Sequence, residues 1–436
     1  MNVRMNLLLL ALPALLFAQA QEMKLEYHGA GWTQFGKVEN SYTNTPDLES
    51  EDDYNNNWMQ NTGGQISVTA KIDSNWEGGL ALGVISVHLA RGNFAKAGYW
   101  YPFSVPYVGE ARITYSHALF NTGKFQLTMG NFGYGYSPDA KNLGLYLMKG
   151  YVYPGAIESG FGSVFGGMAR YQQAGFSNDV ILKSEDERPV YDWSLADVVS
   201  YQIHPGLEIG AGVNFYRLLS QNSDLTSPGP VCESTYGKED GNSLCSIVDY
   251  SDTTGGKAPD TVTGSLAGTK LMARLHIDPK ALFGFSGLGS LTLGKQDLIL
   301  YSEAAVLGLN NYRIVYDDIL QRIPVMVGFN FPSFGYLDYL SLEVEYYASK
   351  NSSDNVAANF GGAWVPSQVD HSVYSRDDWK WSANVAKTLF GHMQFTAQVA
   401  NDHLRLGGYH DRPNAGKEVL RTPKDWYWTC KLAYFF

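Results

Sequence analysis

The residues of this chain that could do chemistry are charged side chains set at alternate positions among apolar ones. Glu110 and Arg112 interleave with Ala111 and Ile113, and Arg274 and His276 with Ala273 and Leu275. Glu343 and Glu345 interleave with Leu342 and Val344, and Lys380 lies between Trp379 and Trp381. Lys71 and Glu208 have similar surroundings. Residues two apart on a strand share a face, so these groups define polar faces carrying both signs of charge. Such faces suit hydrated solutes, because rings of charge set the field a solute feels. They do not suit bond-making. The run Gly160-Phe-Gly-Ser-Val-Phe-Gly166 has the wrong spacing for a nucleophile elbow. The nine His residues include no H-E-x-x-H pair, and His88, His117, Asp402 and His403 form no site by spacing. The sequence carries no expectation of an enzyme, a metal or a cofactor.

The elements that must hold these residues are strands. Ile66, Val68, Ala70 and Ile72 alternate with Gln65, Ser67, Thr69 and Lys71. The same period of two recurs around 111–115, 125–129, 207–215, 271–277, 340–346, 379–385 and 393–399. The alternation slips near Val84 and Ile85, where a bulge is expected. The chain ends on Trp426-Tyr-Trp-Thr-Cys-Lys-Leu-Ala-Tyr-Phe-Phe436, in which Trp426, Trp428, Cys430, Leu432, Tyr434 and Phe436 form one apolar row. Lys431 and Thr429 fall on the other face.

At the other end, Arg4 precedes an apolar run from Leu7 to Phe17 and then Ala18-Gln19-Ala20. This pattern reads as a signal peptide over 1–20, cut after Ala20, leaving 21–436 as a single barrel domain. The later apolar segments are short and punctuated by glycine. Membrane insertion is therefore expected as a closed barrel, the only alternative to helices that satisfies the backbone in lipid. The 46 Gly, 29 Tyr, 21 Phe and 10 Trp fit that expectation. The formal net charge of −11 excludes a nucleic-acid partner. Of the three cysteines, Cys232 and Cys245 are expected to form a disulfide in an oxidising compartment. Cys430 reads as a small hydrophobe.

Long and short connections alternate along the chain, as they do in outer-membrane barrels. Long loops fall near 39–57, 92–103, 134–159, 184–191, 220–267, 308–320, 349–376 and 407–424. Seven shorter turns separate them, one of them the longer stretch Asp278 to Gly289. The count gives about sixteen strands, with fourteen and eighteen as the neighbouring solutions. The fold class is thus an all-β, transmembrane, antiparallel up-and-down barrel with long extracellular loops and short periplasmic turns. Tyr99, Trp100, Tyr101 and Phe103 in the second loop are sugar-stacking candidates, or equally the loop's own small core or a membrane-edge anchor. Acidic residues from Asp47 to Asp53 mark the first loop as solvated, or as a cation-bridging patch.

The last strand, ending in Phe436 behind an alternating apolar row, resembles the C-terminal strand of Gram-negative outer-membrane barrels. That resemblance implies that Trp426, Trp428, Leu432, Tyr434 and Phe436 close the barrel and are read by the barrel assembly machinery. Export signal, strand count and last strand together resemble the general porins. The resemblance implies a passive channel for small hydrophilic solutes, outer-membrane lipid and lipopolysaccharide as surroundings, and a homotrimer. It also implies that the third loop narrows the lumen. Here that loop reads Asn131-Phe-Gly-Tyr-Gly-Tyr-Ser-Pro-Asp-Ala-Lys-Asn-Leu-Gly-Leu-Tyr-Leu-Met-Lys-Gly-Tyr-Val-Tyr-Pro154. It lacks the acidic P-E-F-G-G signature of porin loops. Ser137 and Pro138 suit a helix start and Gly150 its end. The residues expected to line the pore are Lys71, Glu110, Arg112, Asp139, Lys141, Arg274, Glu343, Glu345 and Lys380. Lys149 and Glu158 join them if the loop forms the eyelet. The excess of acid implies mild cation preference. Two other readings are a surface barrel whose aromatic loops bind carbohydrate or a partner, and a substrate-specific sugar channel.

Overall fold

Period-two alternation becomes a wall of paired strands. The computed structural model describes residues 23–41, 55–89, 103–119, 122–149, 162–185, 192–219, 229–230, 247–249, 260–264, 267–309, 318–348, 378–404, 418–420 and 422–436. Sixteen strands close into one antiparallel barrel in chain order. The first eight are β1 (Lys24–Asn40), β2 (Trp58–Lys71), β3 (Trp76–Leu89), β4 (Phe103–Leu119), β5 (Gly123–Gly133), β6 (Ser163–Gln173), β7 (Phe176–Ser184) and β8 (Trp193–His204). The second eight are β9 (Leu207–Leu219), β10 (Gly268–Ile277), β11 (Leu300–Val306), β12 (Val325–Asn330), β13 (Tyr339–Tyr346), β14 (Trp379–Leu389), β15 (Met393–Asn401) and β16 (Trp426–Phe435). A small three-stranded sheet, Gly229–Pro230, Ile247–Asp249 and Asp260–Gly264, lies in the loop between β9 and β10.

Closure is made by β1 against β16, with Ala30 opposite Phe435 and Val38 opposite Tyr427. At the seam the Gly29 amide donates to the Phe436 carbonyl at 2.8 Å, and the Phe436 amide donates back at 3.0 Å. The Phe436 ring lies over Gly29, and a Cβ at that position would lie 2.1 Å from it, so any larger residue would displace the ring. The terminal row faces outward as expected: Trp426, Leu432, Tyr434 and Phe436 are exposed, whereas Tyr427, Thr429 and Ala433 face in and are buried.

The outer face is apolar, carrying exposed Ile66, Leu82, Met129, Phe165, Leu182, Ile209 and Val327. Aromatic pairs flank it. Trp58 meets Trp428 edge-on and Tyr346 packs on Trp379 at the long-loop end. Trp76–Tyr115 and Tyr171–Phe176 lie at the short-turn end. An apolar belt between two aromatic girdles is the lipid-facing surface of a membrane-spanning barrel. The end with short turns is periplasmic in such barrels.

Three details differ from the sequence reading. The bulge lies on β4 at Gly109, opposite the Ala81–Leu82 step, and not at Val84–Ile85. The apparent slip there arises because Ile85 faces the lumen opposite Gly63 while Val84 faces lipid opposite Gly64. The turn after β10 runs beyond Gly289, through a short helix α2 (Pro279–Phe283) and a two-rung hairpin, before β11 starts at Leu300. Among the described residues of the third loop, helical structure is confined to α1 (Tyr146–Lys149). Ser137 instead lies outside any helix and Pro138 sits in a turn. The signal segment, the cysteines Cys232 and Cys245, and Tyr99, Trp100 and Tyr101 lie outside the described residues, as does Glu158. Phe103 opens β4.

An outward carboxylate sits within the belt. Asp197 faces lipid between Val180 of β7 and Val213 of β9, four residues from Trp193 and four from Tyr201. At about 3.3 Å per residue and a tilt near 45°, that places it about 9 Å from each girdle. Its carboxylate accepts a hydrogen bond from the outward Asn178 amide. Intramembrane carboxylates are costly. Asp197→Asn is expected to stabilise the barrel by about 1 kcal/mol, seen as a higher urea midpoint for unfolding from lipid vesicles. A lower midpoint would show that the carboxylate is needed.

Candidate functional site

A sixteen-strand barrel is too wide for wall side chains to fill, and here the third loop does the filling. Leaving β5, the chain turns inward at Tyr134 and crosses the lumen. Tyr146 and Leu147 of α1 are fully buried. An apolar core forms inside the barrel from the loop residues Tyr134, Tyr136, Leu143, Leu145, Tyr146 and Leu147. It packs on wall residues that include Met168, Ile181, Val198, Met272, Ala305 and Met326. The tight fit is visible at Gly144, where φ is 81° and a Cβ would lie 2.6 Å from the Met326 terminal methyl. Leu145 follows with φ of 60°.

A loop buried in this way carries backbone amides with no helix or sheet to satisfy them. The wall supplies carboxylates. Glu343 on β13 accepts from three consecutive amides, Lys141 at 2.5 Å and Asn142 and Leu143 at 2.9 Å, and from the Tyr301 hydroxyl at 2.8 Å. Glu303 on β11 accepts from the amides of Leu145 at 2.9 Å and Tyr146 at 2.8 Å, and from the Tyr136 hydroxyl at 2.6 Å. Glu345 accepts from the Tyr146 hydroxyl at 2.6 Å. At the far end of the loop, the Asn142 side-chain amide donates to Asp402, which also accepts from Tyr427 at 2.7 Å. Each such charge-assisted bond is stronger than a neutral one.

A second segment dips into the mouth. Val419 and Leu420 are buried with Val38, Ala400 and Tyr427. The Lys380 ammonium donates to the Leu420 carbonyl and pairs with Glu418, both at 2.6 Å. His403, just past the end of β15, lies between Glu345 at 2.7 Å and Glu418 at 3.2 Å. Burial alone would lower the pKa of this imidazole. The carboxylates of Glu345 and Glu418 more than reverse that and raise it to about 10. Glu345 thus joins the two infolded segments.

The expected pore residues have the following places. Glu343, Glu345 and Lys380 face inward but are buried against the infolded segments. Asp139 is buried and pairs with His276 at 2.6 Å. Lys141 lies over the Tyr339 ring, 4.7 Å from its centroid. Lys149 is buried and donates to the Asn142 carbonyl at 2.7 Å. Arg274 pairs with Glu208. Arg112 binds Glu77 at 2.8 Å, Thr114 at 2.9 Å and Glu110, and Lys71 pairs with Glu26 at 3.0 Å at the short-turn end.

The wall opposite the loop core stays partly exposed. There Trp32 donates to Asn61 at 3.2 Å, Tyr107 donates to Gln65 at 3.0 Å, and Lys431 lies over the Trp32 ring. Its acids Glu26, Glu77 and Glu110 are matched by Lys24, Lys71, Arg112 and Lys431. Sequence reading did not single out Glu303, Tyr136, Tyr146 or Tyr301.

The architecture is porin-like: sixteen strands, short turns at one end, and the third long loop folded into the lumen. No protein-family model matches the chain, and no curated protein does. Among solved structures, the chain is similar to an engineered Rh. blastica porin variant, at 7% identity and TM-score 0.43, covering 95% of this chain and 100% of that one. It is also similar to Salmonella typhi OmpF in complex with daunomycin, at 10% identity and TM-score 0.45, covering 95% of this chain and 98% of that one.

Two outcomes test the anchoring network. Glu343→Ala leaves three buried amides without an acceptor and is expected to cost about 3 kcal/mol. It should also open Lys141 and Lys149 to trypsin; a variant that resists cleavage like the parent would contradict the anchoring role. The pH dependence follows from His403, whose pKa is raised on folding. The stability it contributes is complete below its unfolded value near 6.5 and is lost as pH rises through about 10. Denaturation midpoints measured from pH 6 to 11 should fall across that window in the parent and much less in His403→Gln.

Proposed function

We propose that this protein is an outer-membrane channel through which small hydrophilic solutes diffuse passively. The carrying observation is a closed, lipid-facing barrel whose infolded loop leaves a polar, partly exposed wall along β1–β4 and β16. Trp32, Asn61, Gln65, Tyr107, Arg112 and Lys431 line that path. Because its acids and bases nearly balance, the path discriminates weakly by charge. The formal net charge of −11 supports a mild cation preference at the mouth. The proposed surroundings are outer-membrane lipid and lipopolysaccharide, reached through export by the 1–20 segment. The terminal row ending in Phe436 serves as the signal to the assembly machinery, and the proposed assembly is a homotrimer.

The depth of filling favours one second reading. A lumen occupied by two infolded segments suits a surface barrel whose loops bind carbohydrate or a partner. Planar-bilayer recording separates the two. A channel gives discrete conductance steps and, in a salt gradient, a small reversal potential of cation-preferring sign. Silent bilayers containing folded protein would reject the channel and leave the surface reading.

A further inference from the structure

Beneath the third loop, the lumen holds a cavity of about 530 Å³. Gly135, Tyr136 and Pro138 of the loop form its roof, and the turn at Ala174–Gly175 lies at its rim. It therefore sits at the periplasmic end, beside β5 to β10 and away from the open wall described above.

The register sets a continuous inward rung along this cavity. Lys124 on β5 is opposite Gln172 on β6, Gln172 is opposite Ser177 on β7, and Ser177 is opposite Ser200 on β8. Ser200 is opposite Gly210 on β9, and Gly210 is opposite Arg274 on β10. Gly210 has no side chain to intervene, and the Arg274 guanidinium lies across it; a Cβ there would be 2.6 Å from Nε. The rung therefore runs amine, amide, hydroxyl, hydroxyl, gap, guanidinium. At about 4.8 Å per strand it covers about 24 Å of wall. Arg170, one rung above, adds a third cation, and both Arg170 and Arg274 line the cavity.

The acids here are already engaged. Asp179 holds Arg170 through both oxygens, at 2.6 and 2.8 Å, and also accepts from Tyr134 at 2.9 Å. Glu208 is paired with Arg274. Lys124 has no hydrogen-bond or ion-pair partner among the described residues, and the buried Arg274 Nε has no acceptor. The groups left to meet a ligand are thus cationic at the Lys124 end of the rung and neutral hydrogen-bonding along its middle.

We propose that this cavity is a binding site for small acidic saccharides of one to three residues. Their carboxylate meets Lys124, and their hydroxyls meet Gln172, Ser177 and Ser200. The volume lies within the range of small-molecule pockets. The proposal deepens the channel reading by naming a class of solute, and rests on it only in that respect.

Isothermal titration of the full-length protein in detergent tests the site without requiring conduction. The probes are D-glucuronate, D-glucose and inorganic phosphate. Glucuronate should bind about tenfold more tightly than glucose, the worth of one charge-assisted hydrogen bond. Lys124→Gln, an exposed position, should remove most of that advantage, and Ser200→Ala should weaken both sugars. Lys387→Gln, outside the cavity, should change nothing. Equal binding of glucuronate and glucose would overturn the cationic assignment. Phosphate binding as tight as glucuronate would overturn the hydroxyl contacts. Silent bilayers with intact glucuronate binding would reject the channel reading alone, and conducting bilayers without binding would reject this site alone.

Discussion

Every peptide group placed in lipid must find its hydrogen-bond partner inside the protein, because no water is there to replace one. That constraint accounts for the barrel. A flat sheet would leave β1 and β16 as open edges, and their pairing from Ala30–Phe435 to Val38–Tyr427 removes both. Closure with sixteen strands solves the edge problem and creates another, since the enclosed space is too wide for side chains to fill. The third loop answers the second problem by bringing an apolar core of its own into the lumen.

That core obliges the wall to work in two opposite ways. On the outer face β11–β13 present residues such as Val327, Leu340 and Leu342 to lipid. On the inner face the same strands present Glu303, Glu343 and Glu345, which are almost fully buried. Isolated buried carboxylates are costly. These are placed where the loop's unpaired amides and tyrosine hydroxyls converge, so donor and acceptor satisfy each other. The salt-bridged pair Lys380–Glu418 and the imidazole of His403 do the same for the segment at the mouth.

Much of the wall was readable from the sequence, because a period of two is a local signal. The outward row from Trp426 to Phe436 and the inward charges from Lys71 to Lys380 follow from parity alone. The infolding of the third loop was expected only from the resemblance of the chain to the general porins. The residues that hold it were harder to see. Glu303 sits among Ser302, Ala304 and Ala305 in a segment apolar on both faces, and its importance appears only when β11 is set beside β10 and the loop crosses above. Asp197 was readable in principle, as the one acid in the otherwise apolar series Trp193, Leu195, Val199 and Tyr201. The rung from Lys124 to Arg274 was not, because it depends on the register of six strands, and strand patterning does not encode register between neighbours. The bulge was misplaced because a lumen-facing Ile85 imitates a break in alternation.

The anchors of the third loop also bear on the order of assembly. Leu145 is bonded to a residue 158 positions later, Leu143 to one 200 later, and Asn142 to one 260 later. Hairpins between adjacent strands form from local contacts, whereas contacts this distant carry a large loop-closure cost and come late. The loop emerges early in synthesis, but the carboxylates that accept from its amides arrive only with β11, β13 and the end of β15. Full anchoring of the loop therefore waits on strands far along the chain, so the narrowing of the lumen belongs to the late half of folding.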